Sequence, residues 1–269
     1  EIGSGLVGSE MCIRDRISVA TGEFTTAAEI ALQNGSLDGW DGSSPNAATD
    51  SKFWDTSNEG AKMGGLTPTQ AVTDFVHTQG GKAAKLESGK VDLMGGIFAA
   101  ASLYTGSFGS TNIWTQTATV NFGQSFTARP IALKGFYKYT PNVINLVKNV
   151  PAGVTIVKDQ TLDQCAIYIA LAKKTYTIDN GNQSTFIDFK NDENIIAYGE
   201  LPSGAATEGD GYVEFNIPLK YKNLTDQPTH IIVVCSSSKY GDYMTGGAGS
   251  TLYVDDLSLI YDGTPTIWE

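Results

Sequence analysis

The run Tyr212-Val213-Glu214-Phe215-Asn216-Ile217-Pro218-Leu219 alternates apolar and polar side chains. In an extended chain Val213, Phe215, Ile217 and Leu219 share one face, and Glu214 and Asn216 share the other. The run therefore predicts a half-buried β-strand. Pro218 has no N–H to give a neighbour, which predicts a sheet edge or a strand end. Thr117-Ala118-Thr119-Val120-Asn121-Phe122 alternates in the same manner. Cys165-Ala166-Ile167-Tyr168-Ile169-Ala170-Leu171 and His230-Ile231-Ile232-Val233-Val234-Cys235 are nearly continuous apolar runs, the pattern of central strands covered on both faces.

Around these runs the chain reads as all-β. Turn pairs recur at Asn34-Gly35, Asp38-Gly39, Asp41-Gly42, Asn180-Gly181, Asp210-Gly211 and Asp262-Gly263, among thirty glycines. The strongest helix candidate, residues 69–77, is short and β-branched and predicts a turn or two at most. Many short antiparallel strands predict a two-sheet jelly-roll sandwich. In the last strand, Leu252 and Val254 have one parity while Leu257, Leu259 and Tyr261 have the other. A continuous apolar face then requires an inserted residue, so a β-bulge is expected at Asp255-Asp256. Two adjacent carboxylates there must face solvent or be offset by a cation.

The N-terminal stretch Leu6-Val7-Gly8-Ser9-Glu10-Met11-Cys12-Ile13-Arg14-Asp15-Arg16 fits no strand, helix or leader pattern. Its back-translation resembles a transposon adapter used in DNA library preparation, so residues 1–16 are expected to be a non-native tail. Without them, 16 basic and 26 acidic residues remain, a net charge of −10, and Arg129 is the only arginine. Such a chain lacks the cationic footprint that nucleic acid or anionic lipid requires. Cys165 and Cys235 remain of three cysteines, enough for one bridge or two buried thiols and for no zinc site. Residues 17–36 read as a linker or the remnant of an upstream domain, and residues 37–269 as the jelly roll.

No nucleophile elbow, zincin helix, phosphate loop or dinucleotide fingerprint occurs, and His77 and His230 stand alone. The aromatic residues Trp54, Tyr104, Trp114, Tyr137, Tyr139, Tyr240 and Tyr243 adjoin polar residues, the combination a sugar needs for ring stacking and hydroxyl pairing. Core filling is the commoner role of such residues. Lys134 and Lys138 share a parity opposite to Tyr137 and Tyr139, which predicts a solvated lysine face on an outer strand.

Several strings occur in a telling order: Phe53-Trp54-Asp55-Thr56-Ser57-Asn58, Ala101-Ser102-Leu103-Tyr104-Thr105-Gly106-Ser107-Phe108, Phe126-Thr127-Ala128-Arg129-Pro130, Tyr198-Gly199-Glu200-Leu201, Ser236-Ser237-Ser238-Lys239-Tyr240-Gly241-Asp242-Tyr243 and Gly249-Ser250-Thr251-Leu252-Tyr253-Val254-Asp255-Asp256. Across residues 37–262 the chain resembles the putative carbohydrate metabolism domain of gut Bacteroidetes surface lipoproteins. The resemblance implies a jelly roll like those of carbohydrate-binding modules. It also implies an exported location, at the cell surface or outer membrane or in the periplasm, with membrane attachment only through an N-terminal lipid anchor. The chain ends look similar to those of calcium-containing carbohydrate-binding jelly rolls, which implies a structural Ca²⁺ held by Asp256 and by Glu29 or Asp38, with Asp38 preferred.

The expected function is therefore a monomeric, non-catalytic glycan-binding surface module. Arg129, Lys239, Tyr240, Asp242 and Tyr243 are the primary candidates, with Trp54 and Trp114 as stacking platforms and Tyr137 and Tyr139 beside them. A glycoside hydrolase using a carboxylate pair and a structural module without a sugar site are the alternatives, distinguished by whether a cleft holds two carboxylates about 5 to 10 Å apart.

Overall fold

In the computed structural model, which describes residues 29–92, 96–112 and 114–268, the alternating run forms the strand Val213–Pro218 at the edge of a five-stranded sheet. Residues 1–28, with the adapter-like stretch and most of the expected linker, lie outside the described residues. In chain order the strands are β1 (Trp54–Thr56), β2 (Thr69–Val72), β3 (Ala83–Glu87), β4 (Gly89–Val91), β5 (Ile97–Ala99), β6 (Ser102–Asn112), β7 (Thr117–Phe122), β8 (Gln124–Ser125) and β9 (Ala132–Thr140). They continue as β10 (Ala166–Ala172), β11 (Tyr176–Asp179), β12 (Ile195–Glu200), β13 (Val213–Pro218), β14 (Lys220–Tyr221), β15 (His230–Ser236), β16 (Thr251–Ile260) and β17 (Thr266–Ile267).

The strands build a two-sheet jelly-roll sandwich. The smaller sheet runs β13-β9-β16-β3-β2; the larger runs β11-β7-β6-β15-β10-β12-β14-β17, with β1 on β6 and β8 on β15. The two apolar runs are central, since β15 pairs with β6 and β10, and β10 pairs with β12. Between the sheets lie Leu133, Ile217, Leu252 and Val254 from one side and Leu103, Ile167, Ile169, Val233 and Cys235 from the other. Cys165 and Cys235 are both buried free thiols, and burial pushes the Cys165 thiol up to about 12.

The bulge lies where parity requires it. Asp255 faces Phe136 and Ser258 faces Lys134, so three steps along β16 match two along β9. Asp256 takes the left-handed backbone (φ +49°), which a short polar side chain tolerates. Leu252, Val254 and Leu257 consequently all reach the core. Tyr137 and Tyr139 face inward, while Lys134 pairs with Glu214 at 3.2 Å and the Lys138 amine donates to Thr207 O, making the lysine face the solvated one.

The turn expected within residues 69–77 is instead strand β2. The buried Asn58 amide accepts the Thr69 N–H at 2.9 Å and donates to Thr69 O at 2.8 Å, holding the β-branched Thr69 extended. Among the described residues the α-helical segment is the single turn Asn58–Ala61, and no helix is long and apolar enough to cross a membrane. The packed unit also begins before residue 37: Leu32 is in the core, and Leu257 N donates to Gly35 O at 2.7 Å. A Cβ on Gly35 would lie 2.2 Å from Leu257 O, so this approach requires glycine.

Candidate functional site

Strand parity supplies the larger sheet with a second apolar face. Where Ile167, Ile169 and Leu171 of β10 enter the sandwich core, Tyr168, Ala170 and Ala172 point the other way. Ile232 and Val234 of β15, Tyr104 of β6, Phe122 of β7 and Ile178 of β11 join them on this outer face. Phe189 covers part of it, stacked on Tyr198 at 4.2 Å and edge-on to Tyr168 at 5.3 Å. The face also opens into a cavity of about 200 Å³ whose lining is mostly apolar. Tyr104, Phe122 and Tyr168 line it from the sheet, and Phe98 and Phe108 from the strands beside it. Met63 and Gly64 line it from the segment after the helical turn, and Lys239, Gly241, Asp242 and Met244 from the loop after β15.

That loop is positioned by a buried polar network. The Asp163 carboxylate, 1% exposed, accepts from Ser238 Oγ (2.6 Å), Gly247 N (2.7 Å), Ser250 Oγ (3.1 Å) and Gln164 N (2.8 Å). Burial pushes its carboxyl upward while these four donors oppose the shift. Ser88 Oγ extends the network to Ser237 and Ser238 at 2.6 and 2.9 Å. Within the loop, Gly241–Tyr243 form a 3₁₀ turn that ends on Met244 in the left-handed region (φ +56°), a local strain sustained by the surrounding packing.

Asp242 is exposed where its loop lines the cavity, and desolvation pushes its carboxyl up to about 6. Its charge acts on the hydroxyls of Tyr104 and Tyr168. Because the folded value lies above the ordinary 3.8, the folded protein holds this proton more tightly than the unfolded chain. The resulting stabilisation is complete below pH 3.8 and disappears as the pH rises through about 6. Asp242→Asn is thus expected to raise the thermal midpoint at about pH 8 and to lose that advantage below about pH 4, which thermal unfolding across the pH range will measure.

The cavity gathers part of the candidate set. Lys239 and Asp242 line it, and Tyr243 sits on the same turn, edge-on to Phe186 at 5.0 Å. Tyr240 is half-buried at the start of that turn. Trp114, 86% exposed, caps the β6–β7 hairpin whose Asn112, Gln116 and Thr117 line the cavity. Trp54 is not a platform: it is fully buried, and its indole N–H donates to Gln33 O at 2.8 Å. Tyr139 is likewise fully buried, donating to Ser237 O at 2.9 Å, and Tyr137 packs edge-on to Phe215 at 5.8 Å. Arg129 lies over the Tyr221 ring at 5.1 Å and donates to the carbonyls of Asn223 and Asp226, a clamp on the chain after β14. These last four do not line the cavity. Tyr168, Phe98, Phe108 and Phe122 line the cavity without being sequence candidates; the available signal was the outward parity of Tyr168 and Phe122 in strands whose other face is core.

At the bulge, protein donors engage the carboxylates. Asp256 Oδ2 accepts from Thr78 Oγ1 at 2.6 Å and lies 2.7 Å from His77 Nδ1, while Asp255 Oδ2 accepts the His77 N–H at 2.8 Å. Asp38 Oδ1 accepts the Lys82 N–H at 2.7 Å. Asp38 and Asp256, the acids expected to hold calcium, thus both bond to the loop between β2 and β3.

The family described as Putative carbohydrate metabolism domain matches residues 29–260. A crystal structure described as a putative glycoside hydrolase from Bacteroides vulgatus ATCC 8482 is 25% identical, with a TM-score of 0.58 over 80% of this chain and 88% of that one. Another, described as a putative glycoside hydrolase from Bacteroides thetaiotaomicron VPI-5482, is 24% identical with a TM-score of 0.59, covering 78% of this chain. The present chain spans 63% of that protein's length. No curated protein matches the sequence.

Proposed function

Since the chain belongs to the Putative carbohydrate metabolism domain family, a carbohydrate-related family, we propose that it is a non-catalytic glycan-binding module whose ligand enters the cavity on the outer face of the larger sheet. The observation that carries this reading is the composition of that cavity: five aromatic rings and a single carboxylate, Asp242, among its described lining residues. Rings offer a sugar its stacking surface, and the hydroxyls and amides of Ser236, Asn112 and Asn180 on the same lining offer hydrogen bonds. At about 200 Å³ the cavity is smaller than the roughly 300–1,000 Å³ of drug-sized sites, which suits one ring of a longer glycan rather than a chain of rings. The cell-surface location and the lipid anchor are parts of the same proposal.

A hydrolase reading is favoured by one feature, the raised Asp242 carboxyl, since a carboxyl near 6 is suited to general-acid work. Glycoside hydrolysis ordinarily needs a second carboxylate about 5 to 10 Å away, and the described lining residues include none. The test is a glycan array followed by incubation with each glycan bound. Binding without release of reducing ends is expected, and Phe108→Ala, which removes a half-exposed ring from the cavity wall, should weaken binding about tenfold. Release of reducing ends that stops with Asp242→Asn would favour the hydrolase, and no binding to any glycan would refute both.

A further inference from the structure

We propose that the group entering the cavity is cationic: the protonated amine of an unacetylated amino sugar, paired with Asp242. The inference rests on the glycan-binding reading and names its substrate class. Asp242 lines the cavity, and among the described residues no hydrogen bond or ion pair engages its carboxyl, which desolvation perturbs. A carboxylate that opens on a mostly apolar cavity with no partner among the described residues leaves its lone pairs to a ligand, so a bound group that supplies donors gains a contact those residues do not offer.

Two kinds of ligand could supply those donors, a neutral hydroxyl or an ammonium, and the walls discriminate between them. Aromatic faces attract a cation by about 0.5–2 kcal/mol and give a hydroxyl no comparable term. The titratable lining groups besides Asp242 are Tyr104 and Tyr168, whose hydroxyls burial holds protonated, and Lys239 of the same loop. Lys239 is exposed and makes no ion pair among the described residues, leaving Asp242 for the ligand. An anionic sugar would meet the Asp242 charge directly. The whole chain, at a net charge of −11, adds a long-range field of the sign that draws a cation in.

The test is calorimetric titration of the full chain with short β-1,4-linked oligomers of glucosamine, of N-acetylglucosamine and of glucose. The glucosamine oligomer is expected to bind at least tenfold more tightly than either neutral oligomer. Its advantage should shrink with added salt and as the pH falls below about 6, where Asp242 gains a proton. Asp242→Asn should abolish the difference between the ligands, with the raised thermal midpoint at about pH 8 confirming that the variant is folded. Equal affinities in the wild type overturn the inference alone, provided the neutral oligomers bind. A preference that survives Asp242→Asn reports general attraction to an acidic surface and also overturns it. Binding of none of the three, together with a blank array, overturns the glycan-binding reading as well.

Discussion

Replacing Asp163 by Ala is expected to lower the unfolding free energy by about 4 kcal/mol and to abolish ligand binding with it. Its carboxylate receives two hydroxyls and two backbone N–H groups inside a site only 1% exposed. The substitution strands the Gly247 N–H and the Ser250 hydroxyl, each worth about 1–3 kcal/mol when left unpaired in the interior, and leaves Ser238 only its Ser88 partner. Those donors fix both ends of the segment 238–250, which carries Lys239 and Asp242 to the cavity. Asp163→Asn should cost less, because its oxygen can take the three donors on Oδ2 while its NH₂ opposes the Gln164 N–H alone. Urea unfolding measures the effect, and a loss below about 1 kcal/mol would mean that the loop is held by other means.

Trp54→Ala is expected to destabilise by a similar amount, about 3–5 kcal/mol. The indole is fully buried, packs edge-on to Phe53 at 5.6 Å and satisfies Gln33 O. Truncation leaves a large void between β1 and the chain around Leu32 and removes that donor. Trp54→Phe fills most of the void, so it should cost less and leave glycan affinity unchanged. A folded Trp54→Phe protein that no longer binds would restore Trp54 to the site.

These two residues also mark where sequence reading fails. Trp54 has Lys52, Asp55 and Asn58 as chain neighbours, so its local setting is polar. Its burial comes from the pairing of Trp54 with Thr105 and from residues 32–33, contacts that no local pattern encodes. Asp163 is one of 29 acidic residues, and three of its four partners lie 75 to 87 positions along the chain. Arg129 misled for a different reason: a lone guanidinium suggests a ligand contact, whereas here it closes on two carbonyls and an aromatic face.

Period-two reasoning succeeded where backbone geometry alone decides. It located the edge strand at Phe215, the central strands at Ile167 and Val233, the solvated lysine face of β9 and the bulge at Asp255-Asp256. It also contained the clue to the cavity. A strand apolar on both faces must be covered twice, and Tyr168 stands on the face that the sandwich core leaves over. What covers that face is set by the loops, and loop placement followed from the buried network of Asp163 rather than from periodicity.

Amide chemical-shift mapping with a bound glycan tests the proposal that the outer-face cavity holds the ligand. The perturbed amides are expected to cluster at residues 97–108, 166–168 and 239–244, which meet at the cavity. Perturbations confined to the surroundings of Arg129, or spread along the solvated lysine face of β9, would contradict it.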